Sequence, residues 1–340
     1  MFAIPVLAQA PLNLLGGAYT DRIGGRRIML GSCLITSAVS LWFIAAQGFW
    51  MLVVGQIGLV LSRAAFWPAT WAMASELPGL RGLQLGRLNA VTNLGQILGT
   101  AGCGFLLALT GYTATFVALA AVGLISFVAG LATTPGPDRH SGHPHGMLGI
   151  YRPLLGKPII LYSMVCAYLS ALPFSLTISF YPLFLASYDY GEESSGILLA
   201  LRGMGSIAAS LVAARLVRTG PDTLYPVACG VAVAMAVGLM PVLNHALPIG
   251  FWMLVLGAGS AAMTLYFQIT ISEASPPESR GSALALGGLG WSVSHMSTPL
   301  LLGFLADHIG LVNGFYVLGV LAMLTAFALA FMRQWAFAKK

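Results

Sequence analysis

Gly17-Ala18-Tyr19-Thr20-Asp21-Arg22-Ile23-Gly24-Gly25-Arg26-Arg27 is the stretch on which the reading of this chain turns. It holds three arginines and one aspartate, and apolar segments flank it at about 2–19 and 28–46. It therefore reads as a polar connection between two apolar helices. Asp21 stands just ahead of the second helix, where a carboxylate is favoured by unpaired N–H groups and by the positive end of the helix dipole.

Composition extends this reading outward. Hydrophobic types make up 58% of the 340 residues and charged types 8%, against about 25% charged in an average soluble domain. That leaves too little polar surface to cover a globule in water, which excludes a soluble enzyme, a nucleic-acid binder and a disordered chain. Crossing roughly 30 Å of hydrocarbon takes about 20 apolar residues in a helix. Eleven runs qualify, at about 2–19, 28–46, 49–74, 83–110, 112–133, 158–186, 194–217, 224–243, 248–272, 282–306 and 311–333. The ten-residue alternation of outer-membrane strands is absent. The 41 glycines lie mostly inside the runs, as close helix packing in lipid favours. Cys33, Cys103, Cys166 and Cys229 lie inside apolar runs, without metal-ligand or disulfide-framework spacing. The expected class is an all-α polytopic membrane protein.

Charge sets the orientation. Of the 16 Lys and Arg residues, 14 fall in alternate connections or at the C-terminus: Arg22, Arg26, Arg27, Arg81, Arg87, Arg139, Arg152, Lys157, Arg215, Arg218, Arg280, Arg333, Lys339 and Lys340. The positive-inside rule makes that side cytoplasmic, so the net charge of +6 reads as a topology signal facing the anionic inner leaflet. The expected location is the cell (cytoplasmic) membrane, multi-pass, with a cytoplasmic C-terminus. Met1 would then start outside, within an apolar helix that lacks the basic n-region and cleavage site of a signal peptide.

Self-comparison reveals a duplication. At an offset of 199, Arg81-Gly82 matches Arg280-Gly281, Leu85 matches Leu284, Gly104-Phe105-Leu106 matches Gly303-Phe304-Leu305, Gly111 matches Gly310 and Phe116 matches Phe315; at 197, Ser75-Glu76 matches Ser272-Glu273. Runs one to five pair with runs seven to eleven, in the same orientation, and the sixth has no partner. The expectation is one further helix before Met1 in the native protein, or a cavity open to lipid on one side. The expected organisation is an N-terminal bundle of five helices over 1–133, a cytoplasmic linker over 134–157 and a C-terminal bundle of six helices over 158–340. The linker carries His140, His143 and His145, read as solvated loop rather than as a metal site.

The Gly17–Arg27 connection resembles the loop signature of the major facilitator superfamily, G-x-x-x-D-R-x-G-R-R, with Gly25 as one spare residue. The equivalent second-half position, Ala213…Val217-Arg218…Gly220, is a degenerate copy without the aspartate. Trp67-Pro68…Ser75-Glu76…Arg81 is similar to the family's pattern at the end of a Pro-containing helix. With the parallel duplication, the resemblance spans essentially the whole chain. It implies twelve helices in two six-helix bundles, a central cavity, and rocking between inward-open and outward-open states; this chain shows eleven, without the family's first. Gln56 stands where the family often has an arginine. The stretch Gly95-x-x-x-Gly99-Thr100-Ala101-Gly102-Cys103-Gly104 resembles an antiporter pattern with threonine in place of proline, and is read in preference as a small-residue packing face.

Candidate binding residues come from polar groups inside the runs. Arg63 and Arg202 are intramembrane arginines, costly enough to be functional by default. Arg63 shares a helical face with Gln56, Trp67 and Trp71; Arg202 shares one with Ser195, Ser206 and Ser210. The repeat sets Gln96 opposite His295 and Trp71 opposite Gln268. The candidate substrate cavity is thus Gln56, Arg63, Trp67, Trp71, Gln96, Arg202, Gln268 and His295. The structural alternative is arginines bonded to helix carbonyls, a satisfied core histidine and packed tryptophans. A conformational switch is expected at Gly17, Asp21, Arg22, Gly24, Arg26 and Glu76, forming one cytoplasmic network; the resemblance implies that Asp21 also latches onto the other half. The alternative is that these charges only set topology.

No HExxH, GxSxG or P-loop is present, so neither an enzyme nor ATP hydrolysis is expected, and no cofactor or metal. All ten carboxylates lie in loops or at helix ends. The expected function is secondary transport of a small organic molecule by alternating access. Two arginines without an intramembrane acid favour an organic anion or amphipathic compound. The expected partners are that substrate and the lipid bilayer, with H+ or another coupling ion left open, and no nucleic acid. The rivals are a non-transporting sensor or binding protein of the same fold and an inactive truncated transporter.

Overall fold

A computed structural model describes residues 3–133, 147–243 and 245–338. Among them there is no strand. The helices are α1 (Ala3–Ile23), α2 (Gly25–Ala45), α3 (Phe49–Glu76), α4 (Arg81–Leu131), α5 (Tyr151–Leu155), α6 (Pro158–Ser179), α7 (Tyr181–Ala186), α8 (Glu192–Leu216), α9 (Tyr225–Leu239), α10 (Ala246–Ala274), α11 (Arg280–Gly287), α12 (Leu289–Ile309) and α13 (Leu311–Phe337). The histidine tract of the linker, Arg139, Met1 and the two terminal lysines lie outside the described residues.

Among the described residues, eight helices are long and apolar enough to cross a membrane: α2, α3, α4, α6, α8, α9 with its 3-10 extension, α10 and α13. Eleven spans were expected, and the difference has physical sources. The 51-residue α4 carries two of the expected runs and is broken at Gly111, whose φ of 80° and ψ of −177° are open only to glycine. α1 carries Gln9, Asn13 and Thr20, and α12 carries His295, Asp307 and His308, so both are helical yet less apolar. Gly310, the repeat partner of Gly111, has φ 85° and separates α12 from α13. The duplication in the sequence thus reappears as the same left-handed break in both copies.

The hydroxyl side chains bond along their own helices: Thr20 to the Gly16 carbonyl at 2.8 Å, Ser32 to Ile28 at 2.9 Å and Ser210 to Ser206 at 2.7 Å. In apolar surroundings this satisfies groups that water would otherwise serve. Large apolar side chains face outward, among them Phe331, Ile125 and Leu109, as a bilayer-facing surface requires.

The chain divides into two compact units that do not follow its linear order. Unit 1 comprises Met1–Glu76, Leu98–Leu154 and Ser275–Leu286; unit 2 comprises Leu77–Ile97, Leu155–Ala274 and Gly287–Lys340. In unit 1, α1 and α2 pack on α3. Thr36 and Ser62 share a hydroxyl hydrogen bond of 2.7 Å, and Ser62 donates to the Ser32 carbonyl at 2.8 Å. In unit 2, α8 packs on α10, α9 on α13, and α6 on α10 and α12. Glycines set these distances: a Cβ at Gly257 would lie 1.8 Å from the Arg202 carbonyl oxygen, and one at Gly290 2.0 Å from that of Met164. By contrast, a Cβ at Gly95, Gly99, Gly102 or Gly104 meets nothing within 4 Å. The stretch read as a packing face is open along its glycines.

Candidate functional site

Two clusters gather the candidate residues, one in each unit. In unit 1, Asp21 lies in the last turn of α1 and is 4% exposed. Its two carboxylate oxygens accept the backbone N–H groups of Gly281 and Ser282, each at 2.7 Å. These are first-turn donors of α11, which have no partner within their own helix, and the charge also meets the positive end of the dipole. Gly17 and Gly281 make the approach possible. A Cβ at Gly17 would sit 2.4 Å from the Ala285 Cβ, and one at Gly281 2.7 Å from Asp21 Oδ1. Gly24 turns the chain between α1 and α2 with φ 99°, a conformation that L side chains rarely adopt.

Around this contact, Arg280 is buried and its Nη1 lies 3.6 Å from Glu76 Oε1. Tyr151 of α5 donates its hydroxyl to the Leu14 carbonyl. The same phenol neighbours Ser282 and Asp21, and burial pushes its pKa up, keeping it a donor. The switch residues named from the sequence do not all meet here. Arg26 instead donates to the Leu131 carbonyl at 2.7 Å, near the end of α4, and Arg22 is exposed.

In unit 2, Arg202 of α8 is 7% exposed, with its guanidinium carbon 5.8 Å from the centre of the Phe174 ring of α6. Its Nε has no hydrogen-bond partner among the described residues, and no acidic side chain among them pairs with it. Phe174 lies 5.1 Å from His295 and 5.5 Å from Trp291, and those two rings stack at 4.7 Å on α12. The His295 Nδ1 is 3.0 Å from the Trp291 carbonyl, which only accepts, so Nδ1 carries the proton. Gln268 of α10 is fully buried and accepts the Asn89 amide at 2.8 Å.

Of the other sequence candidates, four belong to α3 in unit 1 and one to α4 in unit 2. Gln56 and Arg63 are exposed on α3; Trp67 and Trp71 are half-buried with rings 6.0 Å apart. Gln96 is half-buried on α4. The two arginines read alike from the sequence therefore differ: Arg202 is buried and Arg63 is not. Phe174, Trp291 and Asn89 were missed. Trp291 and His295 are four apart and so share a helix face, a signal available in the sequence; Phe174 had none, since an aromatic in an apolar run looks like packing.

The family model described as Major Facilitator Superfamily matches residues 1–256. The 3-(3-hydroxy-phenyl)propionate transporter of Escherichia coli (strain K12) is 25% identical over 324 residues, covering 89% of this chain and 76% of that protein. The probable sugar efflux transporter of Pasteurella multocida (strain Pm70) is 25% identical over 318 residues, covering 92% and 77%. Among solved structures, the human organic anion transporter MFSD10 (TETRAN) is similar with a TM-score of 0.77 at 16% identity, covering 96% of this chain and 82% of the other. The proton:xylose symporter XylE bound to 6-bromo-6-deoxy-D-glucose gives 0.75 at 15% identity, covering 98% and 84%. At these identities the two structures speak for the fold.

Proposed function

Because the chain belongs to the Major Facilitator Superfamily, whose members are transporters and not enzymes, we propose that it is a secondary transporter of a small, amphipathic organic anion. It works by alternating access in the cell membrane, driven by a gradient, of H+ or another ion, rather than by ATP. The basic connections and the C-terminus face the cytoplasm; 1–133 and 158–340 are the repeat-related halves, and 134–157 is the linker between them. Asp21, capping α11, steadies one conformational state.

The observation that carries the substrate charge is Arg202, a buried guanidinium with no acidic partner among the described residues. An uncompensated buried cation is costly, and a carboxylate offers its planar fork two matched acceptors. The hydroxyphenylpropionate named for one relative is such an anion, whereas the sugar named for the other is neutral.

The test is uptake into proteoliposomes of anionic and cationic compounds of matched size, with Arg202→Gln and Arg63→Gln beside the wild type. The wild type takes up the anion, and Arg202→Gln lowers that uptake at least ten-fold. Preference for the cation, or full anion uptake by both variants, overturns the reading. Binding without uptake turns it to a sensor.

A further inference from the structure

Resting on that anion reading, we propose that Phe174, Trp291, His295 and Arg202 form an aromatic-carboxylate subsite within unit 2: the ligand ring lies against the aromatic wall and its carboxylate on Arg202. Three rings from α6 and α12 lie within 4.7–5.5 Å of one another. All three residues are half-buried, so each keeps some accessible surface.

The wall is held in place before any ligand arrives. The Trp291 indole N–H donates to Ser170 Oγ at 3.0 Å, and that hydroxyl donates to the Ala167 carbonyl at 2.9 Å. Ser260 of α10 donates to the Ser170 carbonyl at 2.6 Å, tying the same turn of α6 to a third helix. The bond from His295 Nδ1 to the Trp291 carbonyl fixes the imidazole flat against the indole. A preorganised surface of this kind loses little side-chain freedom on binding.

The cation belongs to the same cluster. The Arg202 guanidinium stands 5.8 Å from the Phe174 centroid. A π face alone leaves its N–H donors short of acceptors, and its Nε has none among the described residues. A ligand that touches both the wall and the guanidinium must carry its carboxylate within a few carbon atoms of its ring. That geometry suits an arene with a short acid side chain. A saturated ring of equal size with the same acid side chain would pair with Arg202 but lack the quadrupole contact with the wall.

The experiment measures binding to purified protein in lipid nanodiscs with three probes of one size: 3-phenylpropionate, 3-cyclohexylpropionate and 3-phenylpropylammonium. The phenyl acid binds about three- to ten-fold tighter than the cyclohexyl acid, the range of one aromatic pair, and the ammonium binds weakest. Phe174→Leu and Trp291→Leu bring the ratio of the two acids to near one. Trp291→Phe retains the ratio and serves as the control for a fold disturbed by the lost ring. Arg202→Gln weakens both acids together. Equal binding of the two acids by the wild type, or a ratio that survives both leucine variants, overturns the aromatic subsite and leaves the anion reading standing. An ammonium that binds as well as the acids overturns both, and no binding of any probe at millimolar concentration overturns the subsite.

Discussion

The contact of α1 with α11 and the contact of α8 with the start of α4 are two copies of one crossing. In the first, Gly17 and Gly281 bring the backbones together around Ala285. In the second, a Cβ at Gly82 would lie 2.8 Å from the Ala214 carbonyl oxygen, and one at Gly86 2.4 Å from that of Ser210. Gly82 and Gly86 are the repeat partners of Gly281 and Ala285. The charges differ. Asp21 caps α11, while its equivalent, Val217, offers no acceptor side chain to α4. Glu76 lies 3.6 Å from the buried Arg280, while its equivalent, Glu273, accepts a 2.5 Å hydrogen bond from Thr219 at an exposed position. Close packing needs only small residues and persists in both copies; the electrostatic tie was built into one. The first crossing therefore holds a buried carboxylate cap that the second lacks.

The strongest way to break the comparison is to fill both crossings. Gly17→Leu and Gly86→Leu each drive a side chain into a neighbouring backbone, and overpacking of this kind costs about 1–3 kcal/mol or more. Both variants are expected to lose most of their monodisperse protein on size exclusion in detergent. Damage confined to Gly17→Leu would show that the two crossings are not equivalent in packing. The next effect separates them. Asp21→Asn keeps the shape but turns one acceptor into a donor facing an N–H, at a cost of about 2 kcal/mol for charge-assisted bonds. Uptake is expected to fall roughly ten-fold with normal membrane insertion, while Val217→Asn stays within two-fold of wild type. Unchanged uptake in Asp21→Asn removes the proposed role of the cap. The smallest effect sharpens the contrast between the glutamates. Glu76→Gln is expected to cost about 1 kcal/mol in thermal unfolding, because its partner Arg280 is buried, and Glu273→Gln less than about 0.5 kcal/mol, as surface pairs usually do. A larger loss from Glu273→Gln would place the tie in the other copy.

Several features could be read from the residues in order. Helices follow from apolar runs of bilayer length, whose backbone groups must pair within the run. The duplication follows from residues such as Arg81-Gly82 and Arg280-Gly281, and it foreshadowed the matched breaks at Gly111 and Gly310. Asp21 was legible as a carboxylate that caps a helix, but the wrong one: the connection placed it ahead of α2, whereas it lies in the last turn of α1 and caps α11, and α2 follows Gly24 without a side-chain cap. Arg202 was legible because a charge in an apolar run has no cheap explanation.

What the tertiary structure decided is which groups meet. The partners of Asp21 are backbone N–H groups 260 and 261 residues away; every residue but proline has one, so no sequence signal marks them. That Arg202 is buried and Arg63 exposed depends on which helix face is covered, and in lipid both faces are apolar, so the periodicity that reports burial in water is weak. Phe174 joined the cluster through the packing of α6 against α12, where Gly290 lets the backbones approach. Local chemistry fixes what a residue can do, and the sequence carries it. Proximity between distant segments arises only when the helices pack, because it depends on the shapes of all of them at once.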